Sequence, residues 1–570
     1  MTFLFSALHF ANYRNFESVV RALSARGHRV HLTADEPETF GGQALVECLA
    51  AECPGVTWGA MPLATDEPWF PFAQKLRYAL DYVRFLEPRY ADVPKLRLRN
   101  INRTPRLVRW LTGGVGLALI GHRTVARAIQ WLERSMPRSA ATRAFLEAQA
   151  PDALVLTALT FSRSSALEQL KAARGLGIPV GAAIMSWDHL SSKALLHIAP
   201  DMTLVWNEVQ QREAVDLHHL PTAAVVVTGA QCYDHWFERE PSRSRDEFCR
   251  EMGLDPARPF ILYVCSTMSP APTPLEPLFV KQWVEALRAS ADPALRDIGV
   301  LVRPHPERIK EWAEVNLDGI ENVAVHGGTP IDVSSRNDYF DALAHSRAVV
   351  GLCTSAFLEA AIAGRPVLTL LLSAYRMHQD GMAHFRYLLN VAGGLLHTAP
   401  DMDAHLRQLS NVVTAPEGRD ERNRRFLTAF VRPDGLDAPA TPRFTEAVER
   451  LAHMPRHSDP RFTAETTAQR LVGRMAALTT SGVGRWLMMD AIDTARAESE
   501  RDRADVKDQQ QAVRTAYFDQ KAQLRDARGR ARRQEQRAKA WAKLRRGLSA
   551  RKQMARVKGG LKQLAGFRHQ

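Results

Sequence analysis

No two of the six cysteines, Cys48, Cys53, Cys232, Cys249, Cys265 and Cys353, form a CxxC pair. A disulfide scaffold or a structural zinc site is thereby excluded as the organising principle, and reduced thiols in a cytosolic protein are expected. The sequence also lacks the unbroken run of roughly 18 apolar residues that a spanning helix needs. Its nearest approach, LVRWLTGGVGLALI at 107–120, is short and carries Arg109, and it reads as a buried or interface-lying helix. The start, MTFLFSALHF, has no basic leader and no small-residue cleavage site, so a signal peptide is not expected. No DxD-type acidic pair ends a strand, and the histidines lack metal-ligand spacing, so neither a metal nor another cofactor is expected.

A basic body is missing as well. The 570 residues sum to +13, yet residues 521–570 hold seventeen basic and two acidic side chains, leaving the first 520 near −2. A nucleic-acid binder would carry its basic patch on the folded part, so no nucleic-acid partner is expected.

What is present is alternation of strand and helix. Apolar runs at 2–6, 29–33, 153–156, 180–185, 202–206 and 223–228 are separated by helical patterns, including 15–25 and 164–174. The pattern restarts at 259–266, 300–303, 323–325, 348–352 and 367–372, with a helix near 278–290. Such alternation predicts right-handed crossovers and parallel sheets covered on both faces. The expected fold class is α/β, with two doubly wound Rossmann-like domains facing a cleft and a helical basic C-terminal extension. The expected bounds are 1–237, with a helical, Arg-rich insertion at about 68–150, then 238–440, a helical segment at 441–500, and a charged tail at 501–570. Ligands are expected at the carboxyl ends of the strands.

The most informative string is DYFDALAHSRAVVGLCTSAFLEAAIAGRPVLTLLL at 338–372. A strand there leads into Cys353-Thr354-Ser355 and a helix, whose first residues suit a phosphate. Glu359 lies one turn beyond Ser355, within reach of sugar hydroxyls. In LVRPHPER at 301–308, Arg303 and His305 end a strand, where an arginine forks onto phosphate oxygens and a histidine adds a hydrogen bond. Ser266 and Thr267 follow the strand opening this half. HQDGMAHF at 378–385 suits a loop closing over the donor, with His384 its better ligand candidate.

The Thr354-Ser355, Glu359 and Ala363-Gly364-Arg365-Pro366-Val367 pattern resembles the donor-nucleotide site of GT-B glycosyltransferases and the related UDP-N-acetylglucosamine 2-epimerases. The Arg-Pro-His-Pro run resembles a turn in capsule Kdo transferases and CDP-glycerol glycerophosphotransferases. This resemblance implies a nucleotide-sugar donor whose ribose is held by Glu359 and whose diphosphate faces the Thr354-Ser355 turn. It also implies an acceptor in the first half. His9 stands where several inverting members place a catalytic histidine, and a neutral imidazole suits an acceptor hydroxyl. Asp188, in MSWDHLSSK at 185–193, is the alternative base or the group that orients it. Asn12, Arg14 and Asn15 crowd the His9 loop.

The expected function is sugar transfer to a surface-glycan or lipid-linked acceptor. A CDP-alditol phosphotransferase and a non-catalytic assembly factor stand as alternatives, and a 2-epimerase is less favoured because its multi-carboxylate set is not evident. In the tail, apolar residues recur mostly three or four positions apart from Trp541 to Leu564 amid Arg and Lys. That is a basic amphipathic helix suited to an anionic membrane surface, so a peripheral position at the inner face of the cell membrane is expected.

Overall fold

The computed structural model describes residues 1–36, 41–113, 121–268, 275–313, 315, 317, 319–328, 333–415, 420–463 and 466–478. The first sheet has seven strands: β1 (Thr2–Ala7), β2 (Arg29–Ala34), β3 (Val56–Ala60), β4 (Ala153–Leu156), β5 (Val180–Ala183), β6 (Met202–Val205) and β7 (Val225–Val227). All are parallel, in the order β3-β2-β1-β4-β5-β6-β7. The second sheet holds β8 (Phe260–Val264), β9 (Gly299–Arg303), β10 (Val323–Val325), β11 (Ala348–Val350), β12 (Val367–Leu370) and β13 (His397–Ala399), parallel in the order β10-β9-β8-β11-β12-β13. The expected doubly wound α/β class is therefore present twice.

Both sheets reverse their strand order beside their first strand, at β1/β4 and β8/β11, and such switch points open a crevice at the carboxyl edge. The central strands read as continuous apolar runs because helices cover both faces; every residue of β4, β5, β6, β8 and β9 is buried. Two edge strands escape the sequence pattern. β3 (VTWGA) contains a glycine and is mostly open, and β13 (HTA) is three residues long with one buried position. The helix expected at 15–25 begins with a 3-10 turn, Phe10–Asn15, and continues as Glu17–Ala25.

Residues 70–149 are helical between β3 and β4, as the strand-free pattern implies. Phe70–Arg84 packs on His122–Arg134 through Leu76, Leu80, Val125 and Ile129. Beneath them Arg77, Glu133, Glu168 and Lys171 form a buried ion-pair network, with Arg77 3.0 Å and Lys171 2.7 Å from Glu133. At 107–120 the buried-helix expectation holds only in part. Arg106–Leu111 is helical and Val108 is buried, but Trp110 is 73% exposed, and 114–120 lie outside the described residues.

After the second sheet the chain returns to the first. The helix Ala440–Ala452 inserts Phe444, Val448 and Leu451 into the core of β1, β2 and β4. Gly181 in β5 makes this approach possible, since a Cβ there would meet Leu451 at 2.7 Å. The return is clamped by Asp234, which is buried and accepts from Arg432 (2.9 Å), the Ala440 N–H (3.0 Å) and the Thr441 N–H (2.7 Å). The charged tail lies outside the described residues, and no helix among those described is long and apolar enough to cross a membrane.

Candidate functional site

The carboxyl edge of the second sheet gathers most of the residues singled out in its sequence. Arg303 ends β9, where its side chain is buried. Its guanidinium stands 4.7 Å from the centre of the Tyr339 ring and donates to the Gly328 carbonyl at 3.3 Å. Gly327 is needed beside it, because it holds φ +148° and a Cβ would meet the Arg303 stem at 2.7 Å. No carboxylate among the described residues ion-pairs with Arg303, and burial lowers its pKa, although Tyr339, Asp338 and Glu359 oppose this. The result is an oriented cation with no ion-pair partner among the described residues.

Tyr339, on the helix Val333–His345, donates its hydroxyl to Glu359. Glu359 lies on the short helix Ala356–Ile362, as expected. Burial pushes its carboxyl to about 7, against the Tyr339 bond and the charges of Arg14 and Arg303. Arg14 comes from the loop after β1, so groups of both sheets act on this carboxylate. Tyr339 has no signal in the sequence, because a helix–helix contact places it.

The turn at the β8/β11 switch point is tied internally. The Cys353 N–H donates to the Ser266 hydroxyl at 3.2 Å. Ser266 in turn donates from its N–H (2.7 Å) and hydroxyl (3.2 Å) to Glu276, which also accepts from Tyr263 at 3.1 Å. Burial raises Glu276 to about 7. Ser266 thus shapes the turn, its hydroxyl engaged from both sides, while Thr267 is exposed beside it. Thr354, not Ser355, caps the helix, accepting from the Ala356 N–H at 3.3 Å; Ser355 is exposed and its side chain makes no cap bond. His305 Nδ1 accepts from the Glu307 N–H at 3.2 Å, so the neutral ring carries its proton on Nε2 and offers a donor. Burial lowers its pKa, keeping it neutral.

His384, from the helix Ala383–Asn390, reaches the first sheet. Its ring meets Trp187 edge-on at 5.0 Å, and burial lowers its pKa. Next to Trp187, Asp188 accepts from Ser186 (2.6 Å) and Ser192 (3.0 Å), with Lys193 at 3.7 Å. Burial would raise Asp188, but Lys193, His189 and His384 overcome it and hold the carboxyl well below its usual range. A carboxylate held so low is a weak base, better suited to orienting neighbours. His9 follows β1 and begins the 3-10 turn, its N–H bonded to Asn12 at 3.0 Å. Its Nε2 lies 3.4 Å from Glu36 and 3.4 Å from Arg163, and Arg163 pairs with Glu36 at 2.9 Å. A carboxylate beside an imidazole stabilises the imidazolium that forms on proton uptake, and Glu36 was not singled out in the sequence.

Lys95 is a further residue the sequence did not single out. It lies at the start of the helix Pro94–Ile101, between Val93 and Leu96, which are buried in one apolar cluster with Trp187, Phe357 and Phe385. The same turn holds Arg386, which donates to the Asp92 carbonyl at 3.1 Å. Lys95 has no acidic partner among the described residues; burial lowers it to about 8, and Cys353 is the nearest opposing influence. Lys95 thus interacts electrostatically with Cys353, the first residue of the Cys353–Ser355 turn. Among the described residues no cluster of His, Cys, Asp and Glu could hold a metal ion.

No family model and no curated protein matches this chain. Among solved structures, it is similar to a UDP-GlcNAc 2-epimerase from Neisseria meningitidis bound to UDP-GlcNAc, at 11% identity and TM-score 0.45, covering 79% of this chain and 100% of that one. It is also similar to a glycosyltransferase from Rickettsia africae (9% identity, TM-score 0.44, 79% and 99% covered) and to MurG of Acinetobacter baumannii (11%, 0.39, 79% and 99%). At these identities the likeness assigns no activity.

Proposed function

We propose that this chain is a GT-B-type glycosyltransferase moving a sugar from a nucleotide-activated donor to a surface-glycan or lipid-linked acceptor. The observation that carries the reading is the buried Arg303 with the half-buried Tyr339 and Glu359 beside the Thr354–Ser355 turn at a strand-order switch. Glu359 accepts from the ribose hydroxyls; Arg303, His305 Nε2–H and Ser355 face the diphosphate. Fixed donors and cations in a half-dry site neutralise the leaving diphosphate without a metal. His9, supported by Glu36, takes the acceptor proton as the acceptor oxygen attacks the anomeric carbon. The bond from that carbon to the phosphate oxygen breaks, and its electron pair leaves with the nucleoside diphosphate. Asp188 orients the groups around Trp187 and His384.

The test is incubation with nucleotide sugars, CDP-alditols and a lipid-linked acceptor, with mass spectrometry of the product. A hexose-sized increment supports the reading, an alditol phosphate moves the chain to the phosphotransferases, and no nucleotide release makes it an assembly factor. For location, we propose a peripheral position at the inner face of the cell membrane through the basic tail. Deleting 521–570 should weaken binding to anionic vesicles.

A further inference from the structure

The helical insertion between β3 and β4 carries charge that the catalytic reading does not use. Residues 94–134 contain nine Lys and Arg against one acid, Glu133, a formal +8 within a body near −2. Glu133 is buried with Arg77 and Lys171, so it offers the surface no negative charge. On the helix His122–Arg134 the inward positions are Val125, Ile129 and Glu133, while Arg123, Arg127, Trp131 and Arg134 form an exposed stripe three or four apart. None of these arginines lies within ion-pair distance of a carboxylate among the described residues. Trp131 is 65% exposed and Trp110 73%, with Leu98 at 54% and Leu107 at 42%. These are four of the ten large apolar side chains left open in the described protein, gathered within 34 residues of sequence.

We infer that the exposed basic and apolar side chains of the insertion, led by the stripe on the helix His122–Arg134, dock on an anionic lipid bilayer. Tryptophan favours the boundary between headgroups and acyl chains, and leucine gains from entering that boundary. Each basic residue close to an anionic surface adds to the attraction. A second copy is a poor occupant, because two such faces would bring like charges together. A nucleic acid would use the arginines and stack on the tryptophans, but it leaves Leu98 and Leu107 in water. The docking residues share the helix Pro94–Ile101 with the cleft: Arg97 and Leu98 point outward, while Leu96 is buried toward Trp187 and Phe357. A bilayer held against this face would present a lipid-linked acceptor close to the site, which is the link to the proposed reaction.

The experiment uses the full chain with vesicles of phosphatidylcholine containing phosphatidylglycerol, some brominated in the acyl chains to quench nearby tryptophan. Wild type should be quenched and should float with the vesicles. Trp110→Ala/Trp131→Ala should lose most of the quenching, and Arg123→Glu/Arg127→Glu should bind at least about tenfold more weakly, both with wild-type melting. Trp541→Ala should leave the insertion's share of quenching in place. Quenching unchanged in the tryptophan pair but lost in Trp541→Ala would assign all contact to the tail and overturn the proposal. Equal binding to pure phosphatidylcholine would overturn its electrostatic basis. Unaltered vesicle binding by the arginine pair, with loss of duplex binding or of a concentration-dependent dimer, would reassign the face to nucleic acid or to a second copy.

Discussion

Arg303 holds its guanidinium over the Tyr339 ring, 4.7 Å from its centre, while the same tyrosine gives its hydroxyl to Glu359. One aromatic side chain thus orients both the cation assigned to phosphate and the carboxylate assigned to ribose. Tyr339→Phe should preserve the stacking and release Glu359, weakening nucleotide binding by severalfold. Arg303→Lys should recover little of what Arg303→Ala loses, because an ammonium neither forks nor stacks as a guanidinium does. Titration calorimetry of the three variants with nucleoside diphosphates checks both.

The protonation of Lys95 provides a second test. Its value near 8 is set by burial, and the groups facing it do not titrate there. Cys353 is pushed to about 12, His378 down to about 4 and His384 below its ordinary value. If Lys95 touches the diphosphate, affinity should fall as pH rises through about 8 in wild type. Lys95→Arg should keep its affinity across that range, and Lys95→Ala should bind weakly throughout. A nucleoside without phosphates should respond to neither variant.

Three glutamates raised by desolvation, Glu213 and Glu276 buried and Glu359 half-buried, contribute to the pH dependence of stability. Glu213, Glu276 and Glu359 are each raised by burial from an ordinary 4.5 to about 7. Between those values the unfolded chain has released protons that the folded one keeps, so their contribution falls as pH rises and levels off above about 7. Asp188 acts oppositely and only in acid, its contribution being lost as pH drops below 3.8. Histidines that burial lowers to about 4, among them His189, His197 and His378, oppose this below about 6.5, so the glutamate contribution is read by difference: in thermal melts from pH 5 to 8 wild type should lose stability relative to each Glu→Gln variant.

How far the sequence revealed this arrangement depends on the distance over which each contact forms. Both sheets were legible because buried parallel strands are continuous apolar runs, and Glu359 was legible because its motif is local. The role of Ser266 was not, since its hydroxyl is engaged by Glu276 ten residues on and by the Cys353 backbone far along the chain. Tyr339, Lys95 and Glu36 escaped for the same reason: each acts on a residue brought near by packing. β3 and β13 were lost because edge strands with a glycine or only three residues have no apolar run to read.

Asp234 should be the most sensitive position in the return of the chain to the first sheet. Removing its carboxylate leaves Arg432 buried without an ion partner and two backbone N–H groups unanswered. Asp234→Ala should cost about 3–5 kcal/mol, read from urea unfolding.

His9 and Asp188 should separate by kinetics. His9→Ala should lower kcat by about 10²–10⁴ with donor binding unchanged, as for loss of a general base. Asp188→Asn should act more mildly on kcat, and its pH profile should keep the wild-type acidic limb, which a general base sets.

The most direct measurement is calorimetric titration of the full chain with UDP, CDP and their parent nucleosides, using wild type and Glu359→Ala. A nucleoside diphosphate should bind wild type, with at least about tenfold loss in the variant, the scale of one charge-assisted hydrogen bond. Wild type that binds no nucleotide, or Glu359→Ala that binds one equally well, would contradict a donor site at the carboxyl edge of the second sheet.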